Sequence, residues 1–268
     1  MMMLVRSMVA GMNLFCMRPS IHPLRELDEK LLFDFAAFTP MQLADISGDR
    51  TIFNQAQNIR RVILGGEEIR YGILEEIKKM TNEVYATFGM TETISHVALK
   101  RLNGTKPDQY FRTLPGISVA ANEMDCLIVH APQLGQQNLL TKDLVKVISE
   151  TEFEWLGRID NVINRGGVKI HPEKIEALLE PYISCPFFIA EINSGSSEAK
   201  LLLILETTQV KEEELLTISK AIQALDKLNR PQQIWLLREF KRTENGKIRR
   251  RETLESGKEV QQIALPFI

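Results

Sequence analysis

Two short β-rich runs, each delivered straight into glycine, restrict this chain more than any other feature. Arg61-Val-Ile-Leu64 ends at Gly65-Gly66, and Glu83-Val-Tyr-Ala-Thr-Phe88 ends at Gly89. Between them, Ile73 to Met80 repeats apolar residues at helical spacing. Strand, helix and strand in that order predict an α/β sheet whose functional loops lie where the strands run out into glycine. A charged helical stretch from Leu24 to Phe35, bracketed by Pro19, Pro23 and Pro40, extends the alternation toward the amino terminus. From Leu114 to Pro132 the pattern changes to short strands such as Cys126-Leu-Ile-Val-His130 bounded by turns, which predicts a separate, mostly antiparallel layer.

The second half has its own elements. After Gly157 the sequence predicts a strand from Asp160 to Ile163, a Gly166-Gly167 turn, and a helix opened by Pro172 with Glu173 beside it; a fixed φ and an acidic first turn both favour a start there. Phe187 to Glu191 and Leu201 to Glu206 read as strands around an Asn193-Ser-Gly-Ser-Ser197 turn. Lys211 to Leu228 reads as a helix and Ile234 to Leu237 as a strand after Pro231, followed by a basic tail. The 268 residues thus suggest two domains, 1–158 as a layered α/β domain with a small antiparallel part and 159–268 as a small α+β domain.

Apolar residues also crowd the first 17 positions, six of the ten methionines among them. Arg6, Gly11 and Asn13 interrupt the stretch and no small-residue cleavage site follows, so neither a leader nor a membrane span is expected. A helix through Val9 and a buried strand at Leu14 to Met17 are expected instead. A formal charge of −2, with 16 of 33 basic and 19 of 35 acidic residues before Arg158, gives neither half the excess that nucleic acid or an anionic membrane would demand. Cys16, Cys126 and Cys185 lie far apart without a CxxC, so neither a disulfide framework nor a zinc site is indicated and a reducing cytoplasm fits. Self-association is left open.

Three constellations could carry chemistry. In Phe88-Gly-Met-Thr-Glu-Thr93 a strand runs into glycine and then into hydroxyls flanking a carboxylate, a set able to hold Mg²⁺ and a phosphate oxygen while the ring stacks on a base. A strand-to-helix turn capped by Thr91 explains it as well. In Gly157-Arg-Ile-Asp-Asn-Val-Ile-Asn-Arg-Gly-Gly-Val-Lys169 the glycine pair lets backbone amides approach an anion between Arg158 and Lys169, or simply closes a β-hairpin with solvated charges. Arg242-Thr-Glu-Asn-Gly-Lys247 would present Lys247 at a turn tip. Seven basic against two acidic residues from Arg238 to Arg251, with Phe240 the only aromatic, read as a solvated basic face sooner than an RNA surface. Gly65-Gly66-Glu67 is a ligand-facing loop or a plain turn. Asp143 is a ribose acceptor or a structural turn residue, and His96, expected on a helix after Glu92, is a packing residue.

Taken together and in order, these segments resemble the adenylate-forming superfamily of acyl-CoA synthetases, luciferases and peptide-synthetase adenylation domains. Phe88-Gly-Met-Thr-Glu92 resembles its aromatic-Gly-x-Thr-Glu motif, Thr141-Lys-Asp143 its Thr-Gly-Asp, Gly157-Arg-Ile-Asp160 with Gly166-Gly-Val-Lys169 its hinge and glycine loop, and Arg242 to Lys247 its catalytic-lysine motif. Asp160 to Ile170, Phe38-Thr-Pro-Met-Gln-Leu43 and the compact spacing resemble the branch that ligates 2-succinylbenzoate to CoA in menaquinone synthesis. The resemblance implies ATP, Mg²⁺ and coenzyme A as reactants with a small carboxylic acid, adenylation first and thioester formation second. It implies Lys247, Glu92 and Thr91 as catalytic, with Glu92 holding the metal. Phe88 would pack on adenine with Gly89 and Met90 in the cofactor-binding site, Gly65, Gly66 and Glu67 would line the nucleotide and acyl pocket, and Asp143 with Arg158 would hold the ribose. Asp160 would be a hinge that brings Gly167 and Lys169 toward CoA. Lysine at position 142 departs from the family's glycine. The superfamily's Ser/Thr/Gly-rich phosphate loop has no counterpart from Met1 onward, so the chain is expected to be an amino-terminally truncated large domain followed by the small mobile one. A nucleotide- or acyl-binding remnant, or an adenylation domain serving a carrier protein, are the alternatives.

Overall fold

A computed structural model describes residues 2–67, 69–165, 167–192, 200–243, 248–256 and 261–264. The chain forms two compact units. One comprises Met1–Ala120, Ile128–Leu140 and Val147–Glu154; the other comprises Ala121–Leu127, Thr141–Lys146 and Trp155–Ile268. The fold is mixed α/β, as the strand-glycine runs predict.

The chain opens with helix α1 (Met2–Ala10), followed by β1 (Phe33–Phe38), α2 (Pro40–Gly48), α3 (Arg50–Ala56), β2 (Ile59–Leu64), α4 (Tyr71–Lys78), β3 (Glu83–Gly89), β4 (His96–Arg101), β5 (Phe111–Thr113), β6 (Ser118–Ala121), β7 (Cys126–Ala131), β8 (Gln136–Ser149) and β9 (Glu152–Arg158). These strands hydrogen-bond in the order β1-β2-β3-β4-β5-β9-β8-β7-β6. β1, β2 and β3 are parallel, with Ala36 opposite Val62 and Val62 opposite Val84; β3, β4, β5 and β9 pair antiparallel. The helices between the parallel strands bury Leu43, Ile46, Ala56 and Ile77 against Val62, Leu64 and Val84, one apolar core for this α/β part.

Several expectations are corrected. Leu24 to Phe35 is not a helix: tight turns close where the amides of Arg25, Leu27 and Leu31 donate to the carbonyls of His22, Leu24 and Asp28, and Asp28 Oδ1 accepts the Lys30 amide at 2.9 Å, an Asx turn that competes with helix before β1 begins at Phe33. Leu14 to Met17 is an exposed connection without a ladder partner, not a buried strand. The strands after Leu114 are no separate layer; they take places in the same hydrogen-bonded order as the parallel strands. His96 begins strand β4 instead of lying on a helix, and Asp143 lies within β8 instead of a polar turn.

The second unit continues through β10 (Ile163–Arg165), β11 (Val168–Ile170), α5 (Pro172–Leu179), β12 (Phe187–Ile192), β13 (Lys200–Glu206), α6 (Glu212–Ala224), β14 (Gln233–Leu237), α7 (Arg250–Ser256) and β15 (Gln261–Ala264). Asp160 stands in a 3-10 turn, Ile159–Asn161, where a strand was expected, and the predicted helix to Leu228 stops at Ala224. β12, β13, β14 and β15 form a four-stranded sheet in that order. Leu201, Leu203 and Leu205 pack with Ile175, Leu179, Ile218 and Ile222 of α5 and α6, while Leu202 and Ile204 pack with Phe188 and Phe240 on the other face. Burial on both faces explains why β13 reads as an unbroken apolar run instead of an alternating one.

Candidate functional site

Three parallel strands end side by side. Leu64 of β2 pairs with Phe38 of β1 and with Ala86 of β3, so Thr39, Gly65-Gly66-Glu67 and Phe88-Gly89-Met90 leave the sheet at one edge, where open parallel sheets hold ligands. The Gly65 amide donates to the Phe38 carbonyl at 3.2 Å, and Thr87 Oγ1 donates to the Leu64 carbonyl at 2.9 Å. Gly66 is exposed, and Gly65 and Glu67 are half-buried.

Phe88 meets Phe153 edge-on at 5.1 Å and Phe111 at 5.8 Å, and is half-buried in that cluster. At Gly89 the ladder register shifts and β4 passes so near that a Cβ would lie 2.5 Å from the Ser95 carbonyl oxygen and 2.6 Å from His96 Cα. Only glycine fits that approach. Met90 is half-buried; Thr91 and Glu92 are exposed in a 3-10 turn, Thr91–Thr93. Thr93, not Thr91, holds the turn: the residue is 2% exposed, and its hydroxyl accepts the Met90 amide at 3.0 Å and lies 2.8 Å from the Ser95 carbonyl. Ile94 follows at φ 63°, a strained value for a β-branched residue, so its surroundings must hold the loop in place.

Glu92 is a lone exposed carboxylate beside a hydroxyl, and among the described residues no three His, Cys, Asp or Glu side chains could cage a metal. That donor set suits Mg²⁺ carried by a polyphosphate, which keeps its waters and takes one or two protein carboxylates. Arg6 of α1, which sequence reasoning passed over, donates to Ser95 Oγ at 2.7 Å and lies 3.1 Å from His96 Nδ1. Burial pushes the Arg6 pKa down, with no described carboxylate acting against it. Burial first, and then Arg6, push His96 down too, which favours the neutral ring as acceptor. No spacing in the sequence joins position 6 to position 95.

The second unit assembles Asp143, Arg158 and Asp160. Asp143, 14% exposed, accepts the Trp155 indole N–H at 3.0 Å and lies 3.9 Å from Arg158 Nη1. Arg158 Nη2 donates to Asp160 Oδ2 at 3.3 Å, and Lys142 Nζ donates to Asp160 Oδ1 at 3.2 Å. Burial opposes ionisation of Asp160, but the hydrogen bonds from Lys142 and Arg158 outweigh it and hold the carboxyl below its ordinary range. The lysine at 142 therefore has a structural partner. The antiparallel hairpin β10–β11 sets Arg165 opposite Val168 and leaves Gly167 and Lys169 exposed, while Gly166 lies outside the described residues. Lys247 also lies outside them, as do Asn245 and Gly246. Arg242 and Ile248, which flank that segment, form an antiparallel bridge, and Arg242 donates to Glu206 Oε1 at 2.6 Å.

No family model matches the chain. It is 32% identical to an acyl-CoA synthetase (AMP-forming)/AMP-acid ligase II-like protein of Dyadobacter fermentans, covering 89% of this chain and 69% of that one at a TM-score of 0.53. It is 28% identical over 216 residues, 74% of its length, to the 2-succinylbenzoate–CoA ligase of Lactococcus lactis. The chain spans about half the length of that curated relative, 47%. The o-succinylbenzoate CoA synthetase of Bacillus subtilis, solved with its acyl-adenylate intermediate, superposes at a TM-score of 0.74 over 97% of this chain and 58% of that one; at 18% identity the likeness is one of fold.

Proposed function

This chain belongs to the adenylate-forming superfamily, and from that premise we propose that it is the hinge-bearing part of an ATP-dependent acid–CoA ligase acting on 2-succinylbenzoate in menaquinone synthesis. The observation that carries the reading is the cluster of Asp143, Arg158 and Asp160: an acceptor able to take both ribose hydroxyls, a cation beside it, and a turn held to that cation by charge.

In the first half-reaction a substrate carboxylate oxygen attacks the α-phosphorus of ATP and pyrophosphate leaves. Phe88, Gly89 and Met90 lie against adenine, Gly65, Gly66 and Glu67 line the pocket, and Thr91 donates to phosphate. Glu92 would hold Mg²⁺, which would supply charge to neutralise the phosphates. Lys247 stabilises the charge that grows on the phosphoryl oxygens. The CoA sulfur then attacks the acyl carbon and AMP leaves. Between the two steps residues 159–268 turn about Asp160, withdrawing Lys247 and bringing Gly167 and Lys169 toward CoA. The acid is supported by the Lactococcus lactis relative, named for 2-succinylbenzoate. Arg6 supports it independently: a half-buried guanidinium that meets Ser95 and His96 and no described carboxylate suits a substrate that keeps a second carboxylate. No described helix is long and apolar enough to cross a membrane, and a cytoplasmic site of action, where ATP and CoA are abundant, completes the reading.

Titration with 2-succinylbenzoyl sulfamoyl adenosine tests it calorimetrically. Binding should weaken at least tenfold in Asp143→Ala, which removes one charge-assisted acceptor, and fail to discriminate against a monocarboxylic analogue in Arg6→Ala. No heat at millimolar ligand with the unaltered chain would remove the assignment.

A further inference from the structure

Glu173 contacts the chain on both sides of the turn assigned above as the pivot, and the meaning of that arrangement rests on the ligase reading. Its carboxylate, 6% exposed, stands in the first turn of α5. Before the pivot, Gly157 presses on it: with φ at 127°, a Cβ there would lie 2.5 Å from Oε2 and 2.8 Å from Cδ. After the pivot, Asn161 Nδ2 donates to Oε1 at 2.6 Å. Arg250 of α7 comes within 3.8 Å of the same oxygen while gripping Glu176 through two hydrogen bonds of 2.8 Å. Oε2 is buried without a hydrogen-bond partner among the described residues, and Gly157 packs against it.

These contacts differ in what rotation about Asp160 does to them. Asn161, α5 and α7 lie beyond the pivot and travel together, whereas Gly157 lies before it and must part from the carboxylate. Parting exposes an unpaired oxygen to water, which offsets part of the lost packing and keeps the contact reversible. We propose that Gly157 and Glu173 form a releasable catch on the hinge: Glu173 is a positioning residue that binds the turn after Asp160 to α5 and seats Gly157 against that body in one conformation and not the other. A side chain at position 157 blocks the seat, and removing the carboxylate abolishes it.

Limited trypsin digestion with mass spectrometry reads the seat without turnover, because the Arg158–Ile159 bond lies between the two contacts. Cleavage after Arg158 should rise about tenfold in Gly157→Ala and in Glu173→Ala, since it follows the population of the unseated turn. Glu173→Gln, which keeps an acceptor for Asn161 and the shape of the seat, should stay near the original rate. Cleavage after Arg165 should be unchanged in all three, and the melting temperature should fall in Gly157→Ala and Glu173→Ala by no more than the few degrees that a tenfold unseating costs. Equal cleavage after Arg158 in all chains overturns the catch, and so does a rise at every site together with a melting temperature lowered beyond that. Should Gly157→Ala not fold, Glu173→Ala against Glu173→Gln decides. If the variants behave as expected but the sulfamoyl adenylate analogue leaves the Arg158 rate of the unaltered chain unmoved, the catch stands and the assignment of Asp160 as a ligand-driven pivot falls.

Discussion

Arg250 meets Glu176 through two parallel hydrogen bonds, and the Ile189 amide donates to the same carboxylate at 2.7 Å. Burial pushes the Glu176 carboxyl up, and Arg250 pulls it back. A carboxyl raised in the folded state favours folding fully below its ordinary value of 4.5, and that contribution is lost as pH rises through the folded value. Arg250→Met leaves a buried charge unpaired and should cost about 3–5 kcal/mol at neutral pH by urea unfolding, less once acid neutralises Glu176. Asp160 has the opposite sign. Its stabilisation is present above the ordinary value of 3.8 and lost as pH falls through the depressed folded value. The difference in unfolding free energy between the protein and Asp160→Asn should therefore vanish in strong acid; a difference independent of pH would contradict the Lys142 and Arg158 pairing. Of these residues only Asp160 stands out in the sequence, because Glu176 and Arg250 lie 74 positions apart and either reads as an ordinary surface charge.

At the scale of elements, α2 shows how local chemistry places a helix where the site needs one. Thr39 leaves β1, accepts the Gln42 amide at 3.2 Å, and receives the Gln42 side chain on its own amide at 2.9 Å, with Pro40 at the first helical position. Thr39→Ala should lower stability by about 1 kcal/mol in chemical denaturation; no change would mean that Pro40 alone sets the start. The turn from β3 to β4 depends on tertiary approach instead. Gly89→Ala forces Ser95 and His96 away and should cost roughly 1–3 kcal/mol, the usual range for overpacking. It should also weaken nucleotide binding, since Thr91 and Glu92 follow directly. Sequence periodicity identifies β2, β3, α4, β12 and β13, whose apolar patterns are local. It mistakes Leu24 to Phe35 for helix, because charged residues and helical spacing are compatible with a turn followed by a strand until β2 supplies the ladder for Phe33–Phe38.

For the whole molecule, two compact units with their own cores predict unfolding that is not two-state. Both tryptophans, Trp155 and Trp235, lie in the second unit, whereas helix and strand belong to both. Tryptophan fluorescence and far-ultraviolet circular dichroism should therefore trace different denaturant midpoints, and coincident curves would show one cooperative block.

The sequence by itself determined the α/β class, the strand-then-glycine exits and the family, because hydrophobic period and glycine punctuation act over a few residues and survive without the rest of the fold. Tertiary structure alone decided that Arg6 reaches Ser95 and His96, that Phe88 packs with Phe111 and Phe153, and that Gly157 rests on Glu173. Each of these joins residues that no local periodicity relates, since contact between distant segments follows from strand register and helix packing, and those arise only when the chain has closed its cores.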